Sequence, residues 1–253
     1  MENIYKGKLA TLIHSDYLEF LVTLEDNSID VVITDPPFFL SNGGITCQSG
    51  KMVSVDKGDW DKLESITAEV FYSELLTELK RVLKPDGSLW MFGTMHNVYI
   101  LGYLMNNLKF KIMNNITWQK TNPAPNLGCR MFTHSTETIL WAKQNEKSKH
   151  YFNYKLMKEL NNGKQMKDVW TTSTTKKSEK KFGKHPAQKP LEIIERIILA
   201  STQEGDTILD PFVGSGTTCV AATKLNRKSI GIDFEKEFIE IAINRVKDVE
   251  DEE

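Results

Sequence analysis

The chain has 253 residues, 34 acidic and 32 basic side chains, a formal net charge of −2 and 40% apolar residues. These figures exclude a disordered chain, a collagen-like repeat and a small disulfide-stapled scaffold, and leave one large α/β domain carrying an insertion or two smaller domains. Cys47, Cys129 and Cys219 are too scattered for a disulfide framework or a zinc pair, nothing near the start resembles a signal peptide, and no apolar run approaches the roughly 18 residues of a membrane span; free thiols, no metal and a cytoplasmic location are expected.

In chain order, β-branched and apolar runs at 9–14 and 30–34 predict strands on either side of a helix at 17–24. Residues 39–63 are rich in Gly, Ser and Asp and too long for an ordinary connection, so they read as a functional or a disordered loop. An amphipathic helix at 68–83 stops at Lys84-Pro85-Asp86-Gly87 before a strand at 88–92. A helix at 98–108 and strands at 110–119 and 138–142 follow, then a stretch, 143–189, with thirteen lysines, four acidic residues and little periodicity. Beyond it come a helix at 191–201, a stop at Glu204-Gly205-Asp206, a strand at 207–210, a helix at 217–225, a strand at 229–233 and a helix at 236–249 running into an acidic tail. Alternating strands and amphipathic helices predict a largely parallel sheet covered by helices. The lysine-rich stretch alone reads as a solvated surface or linker.

Two constellations carry chemistry. Asp35-Pro36-Pro37-Phe38 follows the strand Val31-Val32-Ile33 directly, which puts a carboxylate at the carboxyl edge of the sheet, where open α/β folds bind ligands. The prolines remove N–H donors and stiffen the turn, leaving carbonyl acceptors beside an aromatic ring, a set suited to accepting hydrogen bonds from an amino group while stacking a flat ring; a rigid turn with an Asp cap is the plainer reading. Asp210-Pro211-Phe212-Val213-Gly214-Ser215-Gly216-Thr217 lies between a strand and a helix, where glycines permit close approach and a helix start offers free N–H groups. Asp233 ends the next strand about 20 residues on, where an acidic side chain binds ribose hydroxyls. A dinucleotide fingerprint requires glycine at position 219, and Cys219 there disfavours NAD.

These features resemble S-adenosylmethionine-dependent amino methyltransferases of DNA, with the catalytic motif ahead of the cofactor motif as in the permuted β group. Asn115-Ile116-Thr117-Trp118-Gln119-Lys120 through Arg130, the run from His134 to Trp141 and His185-Pro186-Ala187-Gln188-Lys189-Pro190 also look like family motifs, so the resemblance covers nearly the whole chain. Phe39-Leu40-Ser41-Asn42-Gly43-Gly44, the run from Val53 to Trp60 and Gln119-Lys120-Thr121-Asn122-Pro123-Ala124-Pro125-Asn126 bring it nearest the DpnA-like adenine methyltransferases of DpnII-type restriction systems.

The resemblance implies a Rossmann-like α/β fold, with a mostly parallel seven-stranded sheet, helices on both faces and permuted motif order. The two halves of one domain are expected at 1–142 and 185–253, with a target-recognition insertion at 143–184 whose lysines meet phosphates and whose Asn153, Asn161, Asn162 and Gln165 are candidate base readers. It assigns catalysis to Asp35, Pro36, Pro37 and Phe38, the last standing where the family more often has Tyr. Cofactor binding falls to Asp16, Asp35, Lys189, Asp210, Phe212, Gly214, Ser215, Gly216, Thr217 and Asp233, with Lys189 a weaker candidate for the cofactor's carboxylate and His185 weaker still. S-adenosylmethionine is the implied methyl donor, without a metal. The implied substrate is adenine N6 in GATC, in single-stranded DNA as well as duplex, with the base flipped out and Trp60 as wedge or lid. A cognate restriction endonuclease is the implied functional partner, and β-group relatives often form homodimers. Two rivals stand: transfer to cytosine N4, disfavoured because such relatives usually carry Ser at the place of Asp35, and a noncatalytic DNA-binding protein, disfavoured because both motifs are intact.

Overall fold

The computed structural model describes residues 2–39, 45–48, 51–54 and 67–251. Its strands are β1 (Glu2–Lys6), β2 (Ala10–His14), β3 (Ile29–Thr34), β4 (Ile45–Gln48), β5 (Lys51–Ser54), β6 (Leu83–Gly93), β7 (Lys111–Lys120), β8 (Thr136–Lys143), β9 (Val169–Thr172), β10 (Thr207–Asp210) and β11 (Lys228–Asp233). The helices are α1 (Tyr17–Leu21), α2 (Ala68–Val82), α3 (Val98–Asn107), α4 (Tyr154–Leu160), α5 (Leu191–Ser201), α6 (Thr217–Lys224) and α7 (Lys236–Glu250).

Among the described residues, nine strands form one sheet in the order β1-β2-β11-β10-β3-β6-β8-β7-β9. The expectation of seven is corrected by β1 and β9. The first pairs antiparallel with β2 at one edge, and the second is a four-residue strand inside the lysine-rich stretch, parallel to β7 at the other edge. Neither shows in the sequence, because short edge strands have few buried positions to impose a period of two. Residues 84–87 lie within β6, and α2 ends at Val82. The loop expected at 39–63 falls mostly outside the described residues, as does Trp60; within it β4 and β5 pair antiparallel.

Successive residues of the central strands point to opposite faces, and both faces are covered. Val32, Leu89 and Met91 pack with Tyr72, Leu75, Leu76 and Leu79 of α2, whereas Val31, Ile33, Trp90 and Phe92 pack with Ile193, Ile194, Ile197 and Ile198 of α5. Two buried faces explain why these strands read as unbroken apolar runs. Trp90 stacks on Trp141 at 4.5 Å between ring centres.

From β2 to β6 the central strands run parallel, and β10 lies beside β3 with Ile208 opposite Val31. The carboxyl ends of β2, β11, β10, β3 and β6 therefore meet at one edge. Because β8 is antiparallel to β6, with Gly93 opposite Thr138, its beginning reaches that same edge. Its end reaches the far edge, with Lys143 opposite Ser88. There Lys149 N–H donates to Asp86 at 2.6 Å and Asn153 N–H to the Ala200 carbonyl at 2.8 Å. The chain then passes through α4 and returns in β9, whose Thr172 pairs with Lys120 back at the first edge. Residues 143–184 thus span the molecule from one edge to the other. No helix among the described residues is long and apolar enough to cross a membrane.

Candidate active site

Asp35 is the first residue beyond β3. The turn after it is fixed from α2, where Tyr72 donates its hydroxyl hydrogen to the Pro37 carbonyl at 2.6 Å and accepts from Asn97 Nδ2 at 3.1 Å. Pro36, Pro37 and Phe38 are buried behind Asp35, and all four line one cavity of about 660 Å³.

The other wall of that cavity comes from the second constellation. Asp210, ending β10, accepts from Thr218 Oγ1 at 2.6 Å and from Phe212 N–H at 3.1 Å. Asp233, ending β11, accepts from Gly214 N–H at 2.8 Å and Glu235 N–H at 2.9 Å. Burial pushes the Asp233 carboxyl up to about 6 against those two bonds. Gly216 caps α6 with φ of +83°, and a Cβ there would stand 2.7 Å from Ala242 Cβ, so both the left-handed backbone and the contact with α7 require glycine. Arg245 of α7, buried, donates to the Ser215 carbonyl at 2.7 Å and to Thr217 Oγ1 at 3.0 Å, and so locks the loop from beneath. Cys219 sits against Gly231, where a Cβ would come within 2.8 Å of its sulfur. Close approach of helix and strand is achieved by a glycine on the strand, not on the helix as in the dinucleotide fingerprint.

Asp16 caps α1, accepting from Leu18 N–H at 2.8 Å and Glu19 N–H at 3.1 Å, and reaches the cavity beside Tyr17, whose ring lies 5.0 Å from that of Phe212. Ser215 and Thr217 line it too, and Gly216 shapes it without lining it. His185 forms wall, packed on Phe238 at 4.3 Å.

Lys189 lines the same cavity and points its ammonium at two carboxylates. Its ammonium contacts Asp35 Oδ2 and stands 3.4 Å from Glu137 Oε2, and Lys120 holds the other Glu137 oxygen at 2.5 Å. Burial disfavours charge on Lys189, but the carboxylates of Asp35 and Glu137 outweigh it and hold its pKa above the usual lysine value. Burial likewise opposes the Glu137 carboxylate, and the cations Lys189 and Lys120 hold it below its usual range. Reasoning from sequence missed Glu137, Lys120, Tyr72 and Arg245. For Glu137 a signal existed: an acidic residue heading the apolar strand Thr138-Ile139-Leu140-Trp141 needs a buried partner. Among the described residues, no group of three His, Cys, Asp or Glu side chains gathers as a metal site would.

A cavity joining two strand-end carboxylate motifs across adjacent strands β3 and β10 is the setting in which a family model described as DNA methylase matches residues 29–244. The chain belongs to the DNA methylase family. This DNA methylase is 59% identical to the Type II methyltransferase M2.DpnII of Streptococcus pneumoniae over 245 residues, 96% of this chain and 91% of that one. The solved structure of the M1.HpyAVI–SAM complex aligns with a TM-score of 0.70 at 27% identity, covering 94% of this DNA methylase and 99% of that chain. The cytosine-N4-specific PvuII DNA methyltransferase shares the fold, with a TM-score of 0.76 at 21% identity over 98% of this chain and 92% of that one.

Proposed function

We propose that this DNA methylase transfers a methyl group from S-adenosylmethionine to the N6 amino group of adenine within GATC, as the modification arm of a restriction–modification system. The observation that carries the reading is the shared cavity, with Asp35 facing the loop of Gly214 and Gly216 across neighbouring strands. Since a cytosine-N4-specific enzyme has the same fold, the fold does not select the base. Asp35 selects adenine, standing where cytosine-directed relatives usually carry Ser.

The residues present fit the cofactor. Asp233 keeps lone pairs for ribose hydroxyls beyond the two backbone donors it already serves, and Tyr17 and Phe212 offer apolar ring faces beside Asp16 for an adenine. S-adenosylmethionine supplies an activated methyl on a sulfonium. The protein's work is orientation and electrostatics. Asp35 and the Pro36 carbonyl accept the two amino hydrogens, which favours the pyramidal amine whose lone pair is free to attack. Phe38 stacks the base, and Tyr72 keeps the turn that carries all three in place.

Adenine N6 is inaccessible inside duplex DNA, so the base leaves the stack; unpaired GATC needs no extrusion and is a substrate as well. We place the DNA on a ledge beside the cavity made by loops 121–135 and 173–184. The two are clasped by Asn122 and Thr174, whose groups exchange hydrogen bonds of 3.0 and 2.9 Å. Arg130, Lys176, Lys177 and Lys184 are exposed there, suited to phosphates. Lys147, Lys149 and Lys155 of the expected recognition segment belong to the far edge and the helix that starts from it. Homodimers, common among β-group relatives, are part of the same reading and are read out by sedimentation at working concentrations.

The test is labelled methyl transfer to oligonucleotides carrying GATC or one-base variants, in both strand states, followed by identification of the modified base. Methyladenine confined to GATC is the expected product, and Asp35→Ala lowers the rate on the order of 10²–10³-fold. Methylcytosine, or full activity in Asp35→Ala, overturns the reading.

A further inference from the structure

Lys189 comes from the segment before α5, is 8% exposed, and its Nζ meets three acceptors: Asp35 Oδ2, Glu137 Oε2 at 3.4 Å and the Ala187 carbonyl at 3.4 Å. The closest of the three is Asp35, and the ion pair with Glu137 draws the ammonium toward the β8 side of the cavity. The ammonium also lies 5.5 Å from the ring centre of Phe38 and 5.2 Å from that of Phe92, which closes it in from the apolar side. Glu137 is placed at the head of β8 and steered by Lys120 at the end of β7.

We infer that Lys189 is a positioning residue for Asp35, supplying the buried positive charge that keeps this carboxylate an acceptor for the substrate amine, and that Glu137 holds Lys189 in that position. The inference rests on the reading of Asp35 as the amine acceptor. A buried carboxylate that takes up a proton turns one oxygen into a donor and loses its use at an N–H group. Among the described residues, the charged groups around Asp35 include Lys189 ahead of α5, Glu137 on β8 behind that lysine, and Asp210 on β10, whose carboxyl feels Asp35 as a like charge. Without Lys189 the cation in contact with Asp35 is gone, Lys120 remaining on Glu137 alone, and Asp35 protonates at higher pH. Without the charge of Glu137 one repelling carboxylate is gone, and it protonates at lower pH. The two changes act in opposite directions, which loosened packing alone does not produce.

The experiment measures single-turnover methyl transfer against pH, and S-adenosylmethionine affinity by calorimetry, for the wild type, Lys189→Met and Glu137→Gln. In Lys189→Met the acid limb of the rate moves up by a pH unit or more, the rate at pH 7 falls at least tenfold with partial recovery at pH 9, and cofactor Kd stays within threefold. In Glu137→Gln the limb moves to lower pH and the rate falls as Lys189 loses its tether, again with cofactor Kd within threefold. A tenfold loss of cofactor affinity in Lys189→Met with an unmoved limb gives Lys189 to the cofactor and overturns the inference. Should Lys189→Met not fold, Glu137→Gln decides alone, and an unmoved limb there overturns it. A wild type that transfers no methyl group fails the proposed function itself, whereas an active wild type with both limbs unmoved fails only this inference.

Discussion

Asp210 sits fully inside the protein beneath the glycine loop, and burial pushes its carboxyl up to about 7, the bonds from Thr218 and Phe212 opposing and the charges of Asp35 and Asp233 adding to the rise. Folded Asp210 thus holds its proton well above the usual 3.8, and its ionisation opposes folding. Below about pH 4 the group is protonated in both states and costs nothing. Between about pH 4 and 7 the unfolded chain ionises while the fold resists, and stability on the order of 4 kcal/mol is lost. Asp210→Asn removes this dependence while its amide still serves both neighbours, since the Thr218 hydroxyl can turn to accept. Its melting temperature is expected to overtake the wild type's progressively from pH 4 to 7, by roughly 8–16 °C, and to hold that lead above; a constant difference across that range in paired thermal scans contradicts the assignment. Asp35, Asp210 and Asp233 were legible in the sequence because each closes a β-branched run. Glu137 opens its strand instead, and the conversion of a strand start into a site position follows from a reversed direction that periodicity does not encode. Tyr72 and Arg245 were hidden for another reason: each occupies a helix position that reads as core or surface, and only tertiary contact reveals its polar end.

Among the elements, long amphipathic helices were read almost to the residue, as α5 at Leu191–Ser201 and α7 at Lys236–Glu250 illustrate, because their apolar stripes repeat over three or more turns. The seven-residue α4 and four-residue β9 have too few turns or alternations to stand above the lysines around them. Yet β9 ties the ledge to the sheet: Trp118 Nε1 donates to Thr172 Oγ1 at 3.2 Å, and Thr121 N–H to the Thr172 carbonyl at 3.0 Å, just before the Asn122–Thr174 clasp. Replacing both clasp residues, Asn122→Ala with Thr174→Val, frees the loops from one another without touching the cavity. DNA affinity is expected to weaken roughly 3- to 10-fold, about 0.7–1.4 kcal/mol and in the range of a hydrogen-bond pair, while cofactor affinity is unchanged by calorimetry. Equal losses for both ligands would place the clasp in the cavity's support instead.

Across the whole molecule, a net charge of −2 conceals a separation of charge that the fold refines further. The lysines of 143–189 form one run in sequence but are divided in space, with Lys147 and Lys149 at the far edge, Lys176, Lys177 and Lys184 at the ledge and Lys189 buried at Asp35, because the chain crosses the sheet between them. Changing Lys176, Lys177, Lys180 and Lys184 to Gln is expected to reduce the salt dependence of DNA binding by up to about 3 to 4 in the log–log slope. The same change at Lys147, Lys149, Lys155 and Lys158 is expected to leave it within error. Filter binding over a salt series distinguishes the two sets, and equal effects would restore the segment as a single binding unit.

Where β7 hands over to β8 the sheet reverses direction, and antiparallel neighbours need no crossover helix between them. The connection at 121–135 therefore lies outside the packed layers, anchored at its start by the Asn122–Thr174 clasp and with Phe132 97% exposed further along it. Such a segment can gain, lose or exchange residues at small cost in closure entropy and without shifting any strand's register. The reversal thereby separates two evolutionary liabilities: the carboxylates stay fixed by the sheet while the neighbouring loop remains free to diversify in length and sequence without disturbing them.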